Sequence, residues 1–429
     1  MRSLHSKHVA IFGITASMTT TFVFVFSTLS PGNPREFHGT AEYDVIDGMT
    51  NKEGGDGSGL RWENQGLQMA TVDPKKYLLP IGISGGGPGF QFKHFKIAAK
   101  FALYLNRTIV MTPFLRHRHR TREYLVPFQR TFDETRLAEL LPVATQEEYT
   151  AQCGHEVAAV LAAPHLSVHE IGTFIHRYRV TRNMSATLLD VILPKELKIQ
   201  SESDAIALFD SSVTTKCLAM HYPYNFKNWT FPGDSDLTLN VNRHVKRAPP
   251  IQAAIAYARQ ALCDGKPYLA FHWRNKTGEQ CDIGNRAAWN DPRCAGAIEN
   301  MRQYGGDKVA AAVYNVMRKY QISCLYISYV PYSEAIVTSF AKIVPSTRIY
   351  NALKTFQSLP DNLSPLMKDD FMLSLLEQEV CYRAEVFIGV QYSNWSEFIF
   401  DERDADGAIS YHLDQLPGVP EEIVRLEYL

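Results

Sequence analysis

The sequence predicts an α/β protein made of two Rossmann-like parallel-sheet domains that face each other across a cleft. Three observations predict it. Residues 77–83 form a short apolar run, 84–89 a glycine-rich turn, 90–105 a run with helical periodicity and 107–113 a second apolar run. Strand, turn, helix and strand in that order open a parallel sheet. The alternation of apolar strands and helical runs begins again near residue 251 and continues past 390. Finally, 429 residues exceed one ordinary domain and suit two.

Residues 1–29 stand apart. Arg2, His5, Lys7 and His8 form a basic flank before an uncharged stretch at 9–29, close to the roughly 20 residues that cross a bilayer. The segment is either a signal anchor or a cleaved signal peptide, and its length favours the anchor. Both place the rest of the chain in the secretory lumen, in the endoplasmic reticulum or Golgi, and the anchor gives a type II orientation with a membrane contact through this segment. The sequons at Asn106, Asn183, Asn228, Asn275, Asn362 and Asn394 agree with that address. So do seven cysteines without a Cys-x-x-Cys pair, which fit disulfides better than a zinc site. Cys281, Cys294, Cys324 and Cys381 all lie in the C-terminal half and are expected to form two bridges bracing it, with Cys153, Cys217 and Cys263 unassigned. A net charge of −1 lacks the basic excess of a nucleic-acid-binding protein, so no nucleic acid is expected as a partner.

Residues 30–75 are polar and hold the run Gly54-Gly55-Asp56-Gly57-Ser58-Gly59, a flexible stem. The first domain is expected at 76–247. Its glycine turn either brings backbone amides close to a phosphate at a helix N-terminus or is a purely structural tight turn. Arg116 to Arg122 concentrates basic residues into either a solvated surface or an electrostatic lip for an acidic ligand. Asp234-Ser235-Asp236 has the look of a metal-binding pair, but its Pro-, Gly- and Asn-rich surroundings predict a turn.

Lys/Arg residues and a Pro-Pro pair at 243–250 mark the junction, and the second domain is expected at 248–429. It is predicted to hold helices at 251–262, 304–320 and 371–384, with strands at 323–328, 347–350 and 385–390 and a turn at 391–396 leading into a last helix. Its first strand ends in Phe271-His272-Trp273-Arg274. Alternation puts His272 and Arg274 on one face, at the carboxyl end of a strand, where open α/β sheets bind ligands. There Arg274 is either a phosphate partner or the mate of a surface carboxylate.

Three segments resemble one family, the GDP-fucose protein O-fucosyltransferases. Residues 86–110 are similar to its first strand–loop–helix, including Gln91, His94, Phe95 and the ending Leu105-Asn106-Arg107-Thr108. Phe271 to Arg274 matches its His-x-Arg motif. Phe387-Ile388-Gly389, Ser393, Phe398 and Glu402-Arg403-Asp404 match its C-terminal signature. The resemblance runs from about residue 77 to 407 and implies the two-domain GT-B architecture, with acceptor on the N-terminal side and nucleotide on the C-terminal side.

It further implies an inverting transfer of fucose from GDP-fucose to Ser/Thr hydroxyls of secreted or cell-surface protein domains, with no cofactor and no metal. Negative charge growing on the leaving GDP then needs a cation and aligned amides. Arg274 matches the family's catalytic arginine. His272 is expected on a phosphate or the sugar, and Ser393, Asn394 and Trp395 near the nucleotide. Gly87, Gly89, Phe90 and Gln91 belong to the loop that faces the substrate. Arg403 either supports the diphosphate or the fold, and Glu377 is either the guanine acceptor or a solvated helix carboxylate. Where the family carries Asn, this chain has Phe90. Two other readings therefore accompany the first: a catalytically silent binding protein of the same fold, and a transferase using another GDP-sugar or a glycan acceptor. Asn275 and Asn394 are expected to carry no glycan, because one there would obstruct the site.

Overall fold

The central apolar strands pair in parallel on both sides, and the strands collect into two five-stranded sheets and one small antiparallel pair. In this computed structural model the described residues are 76–81, 87–115, 125–154, 159–161, 216–221, 223, 227, 233–274, 306–329, 335–390 and 393–419. All belong to one unit, Leu67–Leu429. The expected membrane segment at 1–29, the expected stem at 30–75, most of the expected glycine turn, the basic run at 116–122, and Cys281, Cys294, Asn183, Asn228 and Asn275 lie outside them.

The first half runs β1 (Tyr77–Ile81), α1 (Pro88–Tyr104), β2 (Thr108–Val110), β3 (Phe114–Leu115), β4 (Leu125–Val126), α2 (Phe128–Thr131), α3 (Glu134–Ala138), β5 (Val143–Ala144), α4 (Gln146–Cys153), β6 (Ala159–Leu161), β7 (Cys217–His221) and α5 (Asp234–His244). Its five-stranded sheet has the order β5-β2-β1-β7-β6, every pair parallel, and β3 and β4 form a separate antiparallel pair. Helix α1 starts where Pro88 supplies a fixed φ at its first turn. It buries Phe92, Phe95, Ala98, Ala99 and Ala102, the spacing of one helical face.

The second half runs α6 (Pro249–Ala258), β8 (Leu269–Trp273), α7 (Gly306–Lys319), β9 (Leu325–Tyr329), α8 (Ala335–Ala341), β10 (Ile349–Tyr350), α9 (Ala352–Phe356), α10 (Asp370–Tyr382), β11 (Val386–Gly389), α11 (Asn394–Ala405) and β12 (Ile409–His412). Its sheet has the order β10-β9-β8-β11-β12, again wholly parallel. The chain winds outward from β8 in one direction, returns, and winds outward through β11 in the other, which puts the crevice at the carboxyl ends of β8 and β11.

Strand alternation divides the cores. Leu269, Phe271, Trp273, Leu325, Ile327, Val386 and Ile388 close an apolar core against α7 and α8. Ala270, Tyr326 and Phe387, from the opposite face, join a larger core that includes Leu78, Phe92, Phe95 and Ile109 of the first half. The last helix, α11, packs on α1 and α5, so the end of the chain ties back to its beginning.

A buried charge cluster holds this crossing. Arg247 has no exposed surface and donates to Glu379 on α10 (3.0 Å) and to Glu402 on α11 (2.7 Å). The expected junction thus falls in a buried extended segment between α5 and α6, where Arg247 also bridges to Phe132. Glu402 of the Glu-Arg-Asp motif is an anchor for that segment.

Four expectations change. The strand at 347–350 is a short helical turn, Ser346–Arg348, followed by β10. Asp234 to Asp236 open α5 after Gly233, whose φ of +78° suits glycine, so they form a helix start with two acids at its positive end and no turn. Asn394 to Ser396 are already helical. Among the described residues the disulfides are Cys153–Cys217 and Cys263–Cys324, and Cys381 is a buried free thiol. Cys324 therefore pairs with an unassigned cysteine. Partners were chosen by which strand ends the fold brings together, and spacing along the chain carries none of that information.

Candidate active site

The carboxyl ends of β8 and β11 gather most of the expected residues. His272 is the fourth residue of β8 and is almost wholly buried. Its Nδ1 lies 2.6 Å from Ser396 Oγ, and its ring stacks on Trp395 with centroids 4.0 Å apart and planes at 29°. Trp395 donates its Nε1–H to Ser374 Oγ on α10 (2.9 Å). Burial, and after it the Arg274 charge, holds the His272 pKa well below its usual value, so the ring is neutral. Arg274 follows the strand and is half-buried.

Beside His272, β9 contributes Ser328 in register with it. Ser328 and Tyr326 hydrogen-bond the Glu377 carboxyl, with Tyr326 Oη at 3.4 Å. Burial outweighs those bonds and raises the Glu377 pKa to about 7. Glu377 is no solvated helix carboxylate: it lies one turn along α10 from Ser374, which holds Trp395.

At the other side of the crevice two helix N-termini meet. Ser393 precedes α11 with its side chain wholly buried, and among the described residues its Oγ has no hydrogen-bond partner. Asn394 opens the helix, and its backbone lies against Gly89 of α1. A Cβ on Gly89 would sit 3.1 Å from Asn394 C and O and 3.2 Å from Trp395 N, so the close approach favours glycine. Gly87 needs no such freedom: it caps α1 through its carbonyl, which accepts from Phe90 N (3.0 Å), with open space around its Cα. Phe90 stands in the first turn of α1, half-buried, with its ring edge-to-face on His94 at 4.6 Å. The helix amides at these two N-termini and the Arg274 guanidinium supply the donor set that a diphosphate requires.

Two expected residues have other duties. Gln91 is buried, with its amide donating to Leu115 O (3.0 Å) and accepting from Leu115 N (2.8 Å). It fixes β3, the strand that leads to the basic run, and is not positioned as a substrate ligand. Arg403 is a correction. It lies in the last turn of α11, about 14 Å along the helix from Asn394 at 1.5 Å per residue. Its five N–H donors go to Ser410 Oγ (2.9 Å) and to the carbonyls of Tyr382 (2.6 Å), Ala384 (2.7 Å), Glu385 (3.2 Å) and Ile409 (2.5 Å). It clamps the amino ends of β11 and β12 and has no donor left for a phosphate.

Ser328, Ser374 and Ser396 were not foreseen, because isolated serines carry no spacing signal. Along the α1/α11 seam, one turn from Phe90 and Asn394, lies a polar cavity of about 440 Å³ bordered by α5. Lys93 pairs there with Glu397, and Lys100 with Asp234 (2.8 Å). Burial, reinforced by Lys96 and Lys227, lowers the Lys93 pKa to about 8 despite Asp401.

Two parallel-sheet halves, with donors gathered at the strand ends of the second, define a glycosyltransferase of the GT-B architecture. A model of the family GDP-fucose protein O-fucosyltransferase matches residues 77–406. The chain belongs to that family and is a fucosyltransferase. Among solved structures it is similar to POFUT1 in complex with GDP, at 16% identity and a TM-score of 0.53, covering 80% of this chain and 99% of that one. It is similar also to POFUT1 in complex with GDP-fucose, with the same identity, TM-score and 80% and 99% coverage. No curated protein matches it by sequence.

Proposed function

We propose that the chain transfers fucose from GDP-fucose to a Ser or Thr hydroxyl of proteins in the secretory pathway, inverting the anomeric centre without a metal. The observation that carries this is the meeting of Arg274, neutral His272 and the α11 N-terminus at the switch point of the second sheet. In that reading the acceptor oxygen attacks C1 as the fucosyl–oxygen bond to GDP breaks. The bonding electrons pass to the β-phosphate, where Arg274 and the α11 amides, joined by the Ser393 hydroxyl, take the growing charge. The acceptor proton goes to a phosphate oxygen. Glu377, ionised, accepts from guanine N1–H and N2–H₂.

The disulfides Cys153–Cys217 and Cys263–Cys324 favour an oxidising compartment, in keeping with a lumenal enzyme tethered by residues 1–29. Phe90 supports a second reading, a protein that binds GDP-fucose without turnover, since an apolar ring stands where the family carries a polar side chain.

Titration calorimetry of the full chain with GDP-fucose and GDP-mannose, in the presence of EDTA, separates these readings. We expect a preference for GDP-fucose and GDP release on a folded, disulfide-rich acceptor domain. Tight binding without release would support the silent reading, and a preference for GDP-mannose would sink both.

A further inference from the structure

We propose that Ser396 is a positioning residue that holds His272 as the neutral tautomer protonated on Nε2, so that the ring presents an N–H to the bound donor. The identity of what Nε2 meets rests on the fucosyl-transfer reading. The tautomer rests on geometry alone.

Among the described residues, Ser396 Oγ has two hydrogen-bond neighbours. It accepts from Val390 N–H (3.2 Å), and it lies 2.6 Å from His272 Nδ1. A hydroxyl carries one proton and two lone pairs. If Nδ1 bore a proton it would donate to the second lone pair, and the Ser396 proton would need a further acceptor. Among the described residues none is within hydrogen-bond distance. Ser396 has no exposed surface, so bulk solvent does not reach its hydroxyl. The hydroxyl therefore donates to Nδ1, and the ring proton resides on Nε2.

The surroundings hold the ring in that orientation. Trp395 covers one face of the imidazole and is itself tied to Ser374. Turning the ring over would replace Nδ1 by a carbon and break the bond to Ser396. The local helix start fits the same purpose. The third position of a helix often carries Glu or Gln reaching back to the N-cap. Here it carries Ser396, which turns to Val390 and His272, while Ser393 makes no side-chain cap bond. The consequence is a matter of sign. Nε2–H donates to a phosphate or sugar oxygen, whereas the other tautomer would oppose a lone pair to it.

The test begins with the unliganded full-chain protein carrying ¹⁵N-labelled histidine rings, with His272 assigned by its loss in His272→Gln. Protonated and unprotonated ring nitrogens resonate in separate regions, and we expect Nδ1 unprotonated and Nε2 protonated. A proton on Nδ1, or an imidazolium at neutral pH, would overturn the proposal whether or not any variant folds. The second arm is GDP affinity. Ser396→Ala should weaken it about tenfold, Ser396→Thr should recover most of that, and Ser396→Ala should add nothing in a His272→Ala background. An equal loss in both backgrounds would mean that Ser396 does not act through His272. Should the tautomer be as stated while GDP does not bind, the ring lock stands and the fucosyl-transfer reading falls.

Discussion

The two faces of the second sheet use the same strands for different ends. On one face Leu269, Phe271, Trp273, Ile327 and Ile388 close a core with no polar side chain among them. On the other, Ala270 leaves room beside His272 and Ser328, whose polar atoms reach Ser396 and Glu377. A period of two along a strand makes the division possible, since each change of residue changes face. The helix that covers the site face repeats the lesson along its length. At its start α11 leaves a buried hydroxyl and a stacked Trp–His pair in the crevice. At its end Arg403 has every donor bound. Two arginines that read alike in the sequence thus stand at opposite ends of the strands: Arg403 is bound into the architecture at the amino ends, and Arg274 stands at the carboxyl end, where the proposed chemistry needs it.

This division can be broken experimentally, and the largest effect should come from Arg403. Replacing it by Met leaves several buried carbonyls without donors, so we expect a loss of about 5 kcal/mol or more, seen as a collapse of the guanidinium midpoint or of soluble yield. Survival of Arg403→Met with normal stability and lost nucleotide binding would return this residue to the site. Phe271→Ala, on the closed face, should cost about 3–5 kcal/mol through its cavity, while the protein that remains folded keeps its GDP affinity. Its neighbour on the other face behaves in the opposite way. Arg274→Ala should leave the melting transition within about 0.5 kcal/mol and lower turnover by roughly 10²–10³. Unchanged turnover would remove Arg274 from the mechanism.

A smaller effect sharpens the role of Glu377. Burial raises its pKa to about 7 in the free protein, and the proposed contact with guanine requires the carboxylate. GDP affinity should therefore be level above pH 7 and fall about tenfold per unit as pH drops below it. Glu377→Gln should bind more weakly and lose that slope, and a slope that persisted would assign it to another group. The smallest change is Gly89→Ala. Its Cβ at 3.1 Å from the Asn394 backbone asks the α1/α11 seam to open by a few tenths of an ångström, at a cost of about 1 kcal/mol in a denaturant titration.

The order and type of most elements were legible before any coordinates. The strands at Tyr77, Thr108, Leu269, Leu325 and Val386 and the helices at Pro88, Pro249, Gly306 and Asp370 stand within a few residues of their expected places, because uniform apolar runs and helical stripes are strong local signals. The edge strand β12, only half-buried, lacks that signal and was not expected. The site was legible in part. His272 was found because alternation paired it with Arg274, and Ser393 through its match to the family's C-terminal signature. Ser396, in contrast, depends on a histidine 124 positions away.

What the sequence alone determined is the doubly wound alternation and the placement of His272 and Arg274 at a strand end. These follow from periodicity and backbone sterics, which act over a few residues. Tertiary structure decided the rest. It paired Cys263 with Cys324, bound Gln91 to Leu115, enclosed Arg403 among five acceptors, and set α1 against α11 so closely that a side chain at Gly89 would crowd the seam. Each depends on which distant backbone group arrives beside a given side chain. That is settled by how the two sheets and their helices pack, and no local pattern encodes it.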